Sequence, residues 1–234
     1  MYKNKKILAV IPAREGSKGI PNKNIIVIQN KPLIAYTIEP ALESKYIDKV
    51  IVSTDSEEIA SISKEWGATV PFLRPSYLAT DEAKTIETVI HVLELLESKY
   101  DYVILLQPTQ PTRKVKHIDE AIEEIVNRSY TSLVSVSKVK EHPILMRTID
   151  GEGKLQSIMN KGSIIRRQDF QDVYKVDGAI YINKVKGLNF ETNLNDNEYA
   201  YIMDEKVIDI DETEDIREFE IYLKGNHQFK QKSK

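Results

Sequence analysis

The residues best suited to chemistry crowd into one stretch. A short apolar run, Ile7-Leu8-Ala9-Val10-Ile11, stops at Pro12 and opens into Ala13-Arg14-Glu15-Gly16-Ser17-Lys18-Gly19-Ile20-Pro21-Asn22-Lys23-Asn24. A buried strand followed by a glycine-containing basic loop is how α/β proteins hold phosphates. Gly16 and Gly19 let the backbone turn and present N–H groups to an anion. Arg14, Lys18 and Lys23 supply countercharge, Arg14 with a fork that suits two oxygens at once. The spacing is neither that of a Walker A loop nor that of a G-x-G-x-x-G dinucleotide fingerprint. Taken alone, the stretch is equally compatible with a solvated surface turn.

A second cluster is Asp209-Ile210-Asp211. Read as a strand over 207–211, residues two apart share a face, so both carboxylates point one way and Ile208 and Ile210 point into the core. Such a pair repels itself unless a cation sits between. Opposite a phosphate-binding loop the fitting cation is Mg²⁺, which takes one or two carboxylates plus phosphate oxygens. Without that loop, Asp211 as a cap of the following helix and Asp209 in solvent explain the same residues. Gln107 follows the apolar run 102–106 and offers both a donor and an acceptor, suited to the edge of a base or to the backbone of a Pro-rich turn. Arg166-Arg167-Gln168-Asp169 suggests recognition of a carboxylate or phosphate on a second substrate, or a solvated face.

The elements that position these residues alternate. Strands are expected at 7–11, 49–54, 102–106, 131–136 and 179–182. Helices are expected over 33–44 (Pro32 at its first turn, Pro40 kinking it), from Asp55 as N-cap to Gly67, over 85–98, over 116–127, and after 211 with Ile216, Phe219 and Leu223 on one face. The alternation argues for a mostly parallel sheet covered on both faces. Ligands then sit beyond the carboxyl ends of the strands, where the basic loop, Ser53-Thr54-Asp55 and Gln107-Pro108-Thr109 converge. Trp66 and His91 read as structural. Between 138 and 175 the pattern changes to short paired strands around Asp150-Gly151, which suggests an arm outside the main sheet and a dimer element. The tail from Gly225 to Lys234 has little apolar content and is expected to fray.

Composition narrows the classes. The chain has 234 residues, 41% hydrophobic content and a formal net charge of −3, which gives no hint of a nucleic-acid partner. There is no cysteine, so disulfides, thiolate catalysis and Cys-ligated zinc are excluded. No apolar run is long enough for a membrane helix and no signal-peptide core follows Met1, so the expected compartment is the cytoplasm.

Several spaced blocks together resemble the CMP-sialic acid synthetases, the acylneuraminate cytidylyltransferases. IPAREGSKGIPNKN (11–24) is similar to their first motif, and STDSEEIA (53–60), RPSYLATD (74–81), LLQPTQPTR (105–113), RRQD…YKVDGAIYI (166–182) and IDIDETEDI (208–216) follow in the family's order. The resemblance implies one Rossmann-like α/β domain over 1–234 of the nucleotide-diphospho-sugar transferase type, with a β-rich dimerisation insert at about 138–175. It implies a homodimer that joins CTP to a sialic acid, N-acetylneuraminate, releasing pyrophosphate with Mg²⁺, Mn²⁺ being an alternative. Arg14, Ser17, Lys23, Asn24, Arg74, Thr85 and Gln107 would then hold CTP, with Arg14, Lys23 and Asp211 catalytic. Arg167 and Gln168 would meet the sugar acid, and Asp209 and Asp211 the metal. Asp177-Gly178 stands where the family commonly has Asn-Gly, which leaves the acid open. Legionaminic, pseudaminic and the eight-carbon lipopolysaccharide acid are alternatives, as is a CTP-binding regulator without turnover. Gln110 and Thr112 also depart from the family's Ser and Leu, a change expected to affect only local packing.

Overall fold

The computed structural model describes residues 1–17, 19–96, 99–159 and 166–232, with the side chains of Arg167 and of 226–232 outside that set. Lys18 and the helix end expected at 97–98 also lie outside the described residues. Six strands form one twisted sheet in the order β10-β6-β9-β5-β1-β4. They are β1 (Ile7–Pro12), β4 (Lys49–Ser53), β5 (Tyr102–Leu105), β6 (Ser132–Lys138), β9 (Tyr174–Lys184) and β10 (Tyr199–Ile202). β1 pairs parallel with β4 and β5, and β10 parallel with β6, whereas β9 runs antiparallel between β5 and β6. The sheet is therefore mostly parallel with one reversed strand.

Continuous apolar strands imply cover on both faces, and alternate residues divide accordingly. Ile7, Ala9 and Ile11 pack with residues of α1 (Ala35–Glu43), α2 (Glu57–Glu65) and α4 (Val115–Arg128). Leu8 and Val10 pack with Ile86, Val89 and Val92 of α3 (Thr85–Leu95). Trp66 is partly buried against the first of these cores, and His91 meets Phe72 edge-on at 5.1 Å between ring centres.

A third apolar cluster positions the chemistry. Ile20 of the basic loop, Ile208 and Ile210 beside the two aspartates, and Phe219 of α5 (Thr213–Lys232) are all buried together, with Ile28 and Leu33. The segment 207–211 is not a strand of any sheet, contrary to the sequence expectation. It is held extended by Ile210 N donating to Thr109 O at 2.9 Å and Ile208 N donating to Thr112 Oγ1 at 3.3 Å. The in–out alternation survives because burial of the two isoleucines, rather than a ladder, enforces it.

Local corrections have tertiary causes. Pro32 lies in β3 (Lys31–Pro32), which forms a hairpin with β2 (Val27–Ile28) through left-handed Gln29 and Asn30. α1 starts only at Ala35, contains Pro40, and ends at Glu43, one turn beyond the missing amide. Asp55 does not cap α2, whose N-cap position is Ser56. Instead Asp55 accepts from Glu15 N at 3.1 Å and faces Arg74, partners distant in sequence that outcompete the local cap. Of the tail from Gly225, α5 extends as far as Lys232, and 233–234 lie outside the described residues. The segment 138–175 contains a separate hairpin, β7 (Arg147–Ile149) with β8 (Leu155–Ser157), closed by Asp150, whose Oδ1 accepts from Glu152 N and Lys154 N.

Candidate active site

Two clefts open side by side at the carboxyl ends of β1 and β5. The first, about 450 Å³, is lined by Arg14, Gly16, Ser17, Lys23, Asn24, Arg74, Thr85, Gln107, Thr109, Asp209 and Asp211, among others. It gathers nine of the eleven residues singled out from sequence. The second, about 500 Å³, shares Thr85 and Gln107 with it and is otherwise walled by Tyr181, Phe190, Asn193, Asn195 and neighbouring residues.

The basic loop is folded by its own ends. Asn24 is buried and its Nδ2 donates to Arg14 O at 2.8 Å, so it ties the loop shut as well as lining the cleft. Gly19 is required by space: a Cβ there would lie 2.4 Å from the carbonyl oxygen of Asp211. Gly16 faces open space, with nothing within 4 Å of a Cβ. Only Gly19 therefore has a steric need for glycine, and it lets the loop close on the aspartate segment.

Among the described residues, each cation of the cleft is matched by a carboxylate. Arg14 Nη2 lies 2.6 Å from Asp81 Oδ1, Lys23 Nζ 2.7 Å from Asp211 Oδ1, and Arg74 Nη2 3.6 Å from Asp55 Oδ1. Arg74 is buried and also donates to Thr88 Oγ1 at 3.0 Å. Burial holds its pKa below the ordinary value, opposed by Asp55, and Arg14 adds to the lowering. Crowding of the Asp209 carboxyl by the cleft wall pushes its pKa up, against a hydrogen bond from Thr109, and the neighbouring Asp211 pushes the same way. An anion entering this cleft meets charges already aimed at it, and Arg14 and Lys23 are each able to exchange a carboxylate for a phosphate oxygen.

The donor set for a cation is two carboxylates with the Thr109 hydroxyl beside them, opposite the basic loop. Those are hard oxygen ligands that leave room for phosphate oxygens, which suits Mg²⁺. A second cluster, His117–Asp204–Glu205, also has ligand spacing. Its carboxylates are already neutralised, Asp204 by Lys116 and Glu205 by Lys114, each at 2.5 Å. His117 is fixed between Lys114 N and Asp204.

Gln168 is exposed, in the short 3₁₀ turn Arg167–Asp169, and among the described residues it lines neither cleft. The same turn carries the Arg167 backbone. Sequence reasoning missed several participants. Asp81 and Thr109 lay inside quoted blocks without a role. Asp55 reads both as a helix cap and as part of the ligand edge, and only the second fits the structure. Arg113 carried no sign of burial, yet it is fully enclosed. Its Nη1 donates to Ala179 O at 2.6 Å and its Nη2 to Thr37 Oγ1 at 2.8 Å. Burial lowers its pKa to about 9, opposed by Asp177. Asp177 in turn is buried and accepts from Ser135 Oγ at 2.5 Å and Ser137 Oγ at 2.7 Å. The wall 190–195 of the second cleft carried no signal in sequence at all.

Comparisons with known proteins agree on the family. Residues 8–232 match the family described as cytidylyltransferase. The chain is 42% identical over 193 residues to a CMP-N,N'-diacetyllegionaminic acid synthase of Legionella pneumophila, covering 77% of this chain and 79% of the relative. It is 40% identical over 219 residues to an N-acylneuraminate cytidylyltransferase of Escherichia coli O18:K1:H7, covering 90% of this chain but only 50% of that longer protein. Among solved structures, a CMP:2-keto-3-deoxy-manno-octonic acid synthetase complexed with CTP superposes with a TM-score of 0.73 over 94% of this chain and 99% of that one, at 17% identity. That likeness establishes the shared fold.

Proposed function

The chain belongs to the cytidylyltransferase family, and from that premise we propose that it joins CTP to a nonulosonic acid, forming the CMP-sugar and pyrophosphate. The observation that carries this reading is the first cleft, where Arg14, Lys23 and Arg74 face Asp209 and Asp211 across a space of about 450 Å³. CTP occupies it, with Arg14, Ser17 and Lys23 on the triphosphate and Arg74, Thr85 and Gln107 toward the nucleoside. The acid occupies the second cleft, whose hydroxyl and amide groups suit a polyhydroxylated sugar and whose Phe190 suits an apolar substituent. Thr85 and Gln107, common to both clefts, bring the two substrates edge to edge.

The acid's anomeric hydroxyl attacks the α-phosphorus in line. The new O–P bond forms as the bond to pyrophosphate breaks, and Asp209 or Asp211 takes the hydroxyl proton. Little covalent chemistry falls to the protein, so orientation and charge neutralisation carry the rate. Asp209 and Asp211 would hold Mg²⁺, which supplies charge neutralisation at the phosphates when bound. Lys23, now on Asp211, transfers to the nucleotide and frees that carboxylate.

N-acetylneuraminate is the first acid to try. N,N'-diacetyllegionaminate is the second reading, favoured by the 42% identity to the Legionella enzyme. The β7–β8 arm forms a homodimer contact: Ile149 and Leu155 are 70% and 64% exposed on a two-stranded hairpin that has little stability by itself. Arg167 and Gln168, carried on the same arm segment, reach the acid of the partner protomer. The deciding experiment is pyrophosphate release from CTP and Mg²⁺ with a panel of both acids, pseudaminate and the eight-carbon acid. Release with one acid names the substrate. No release with any acid, with CTP still bound, overturns the transferase reading in favour of a regulator.

A further inference from the structure

The amide of Gln110 sits fully buried directly behind Gln107, and neither its Nε2 nor its Oε1 has a hydrogen-bond partner. A buried amide left unbonded is costly enough to demand a reason. Its surroundings supply one. A Cβ on Gly178 would lie 2.7 Å from Gln107 Oε1 and 3.3 Å from Gln110 Nε2. The acceptor of one amide and the donor of the other therefore crowd the same bare glycine, which is held at a left-handed φ of +79°.

The main chains around this point cannot drift apart. Arg113 donates through Nη1 to Ala179 O at 2.6 Å and through Nη2 to Gln107 O at 3.4 Å, and Asp177 Oδ1 accepts from Ala179 N at 3.1 Å. With backbone spacing fixed by a buried guanidinium, only the two side-chain amides remain adjustable.

We propose that Gln110 is a positioning residue for Gln107: a turn of the two adjustable amides brings its Nε2–H onto Gln107 Oε1 and so directs the amide N–H groups of Gln107 toward the clefts. Gln107 then meets an acceptor atom of the bound molecule, a carboxylate, carbonyl or hydroxyl oxygen, and refuses a donor. The effect reaches both clefts, since Gln107 lines both, and it is read at the second, whose wall includes Tyr181 of β9, the strand that also carries Gly178. This inference rests on the transferase reading for its choice of substrate, the sugar acid.

The test compares wild type with Gln110→Leu and Gln110→Glu. Leucine fills the same space without a donor, and the expected result is a KM for the acid raised about tenfold, the loss of one oriented hydrogen bond, with the CTP dissociation constant rising as well because Gln107 borders both clefts. Glutamate places an oxygen against Gln107 Oε1, so acid binding is lost at high pH and recovers as the buried carboxyl takes a proton and becomes a donor. A leucine variant with an unchanged KM for the acid and a higher Tm makes Gln110 a packing residue and overturns the proposal, and so does a glutamate variant with the wild-type pH profile. Orientation is read without turnover from the Gln107 side-chain amide resonance in ¹⁵N-labelled protein, assigned with Gln107→Ala. That resonance must move in Gln110→Leu, and if it stays the proposal fails whatever the enzyme turns over. Absence of pyrophosphate release from wild type, with the resonance shift present, instead overturns the transferase reading alone.

Discussion

The two clefts share a wall and differ in almost everything else. The first holds Arg14, Lys23, Arg74, Asp81, Asp209 and Asp211, with its cations already paired to carboxylates. The second mixes hydroxyls, amides and apolar side chains, one of them an exposed phenyl ring, with a single lysine and a single glutamate, Lys84 and Glu191, and the Tyr181 hydroxyl donates to Asn195 Oδ1 at 2.9 Å. Burial, with Asp177 and Asp209 nearby, pushes the Tyr181 hydroxyl up to about 12, so it stays neutral. On the proposed function, the contrast becomes a division of labour. A polyanion is held by charge that is preorganised and screened little inside a cleft. A sugar is held by shape and by uncharged groups that discriminate among hydroxyls and acyl groups.

The contrast breaks first at Lys23. Replacing it with Met is expected to lower kcat/KM for CTP by about 10²–10³, while binding of the acid in the second cleft changes little. Steady-state kinetics with each substrate varied in turn checks this, and equal losses on both sides mean that the clefts do not divide the substrates. A smaller effect is expected at Gly19, where Ala drives a Cβ against Asp211 O at 2.4 Å. The cost is about 1–3 kcal/mol, read as a fall in the midpoint of denaturant unfolding together with weaker CTP binding. Phe190→Ala should sharpen the comparison from the other side, raising the KM for the acid several-fold, the worth of part of an apolar contact, with CTP affinity unchanged in calorimetry.

The smallest effect is electrostatic. Because crowding raises the Asp209 pKa in the fold, the native state keeps that proton to higher pH than the unfolded chain does. Ionising the group therefore costs stability above its native pKa, and the cost disappears below the unfolded value of about 3.9. In metal-free protein, Asp209→Asn is expected to raise stability at neutral pH and to lose that advantage in acid. Thermal unfolding across pH, without and then with Mg²⁺, measures it. Added Mg²⁺ should stabilise wild type and leave the variant behind.

Much of the first cleft was legible because its residues sit in contiguous, chemically unusual runs. Strand β1 and the loop after it combine a continuous apolar stretch with glycine and basic residues, and Asp209 and Asp211 alternate with buried isoleucines. Alternation expresses burial, so it was readable even though the expected strand at 207–211 is not one. The reversal of β9 was hidden: a strand buried on both faces reads the same in either direction. Asp55 was misread because a residue before a helix is a good local cap, and nothing local announces a partner such as Glu15 N or Arg74.

The sequence by itself determined the α/β alternation, the ligand edge of the sheet and the types of group gathered there, since periodicity and residue chemistry are local properties. Tertiary structure alone decided which charges pair, why Gly19 must be bare, that Arg113 is entombed behind Gln107, and that a second cleft exists at 190–195. Those are facts of close approach between segments far apart in the chain, and close approach is fixed by packing, which no local pattern records.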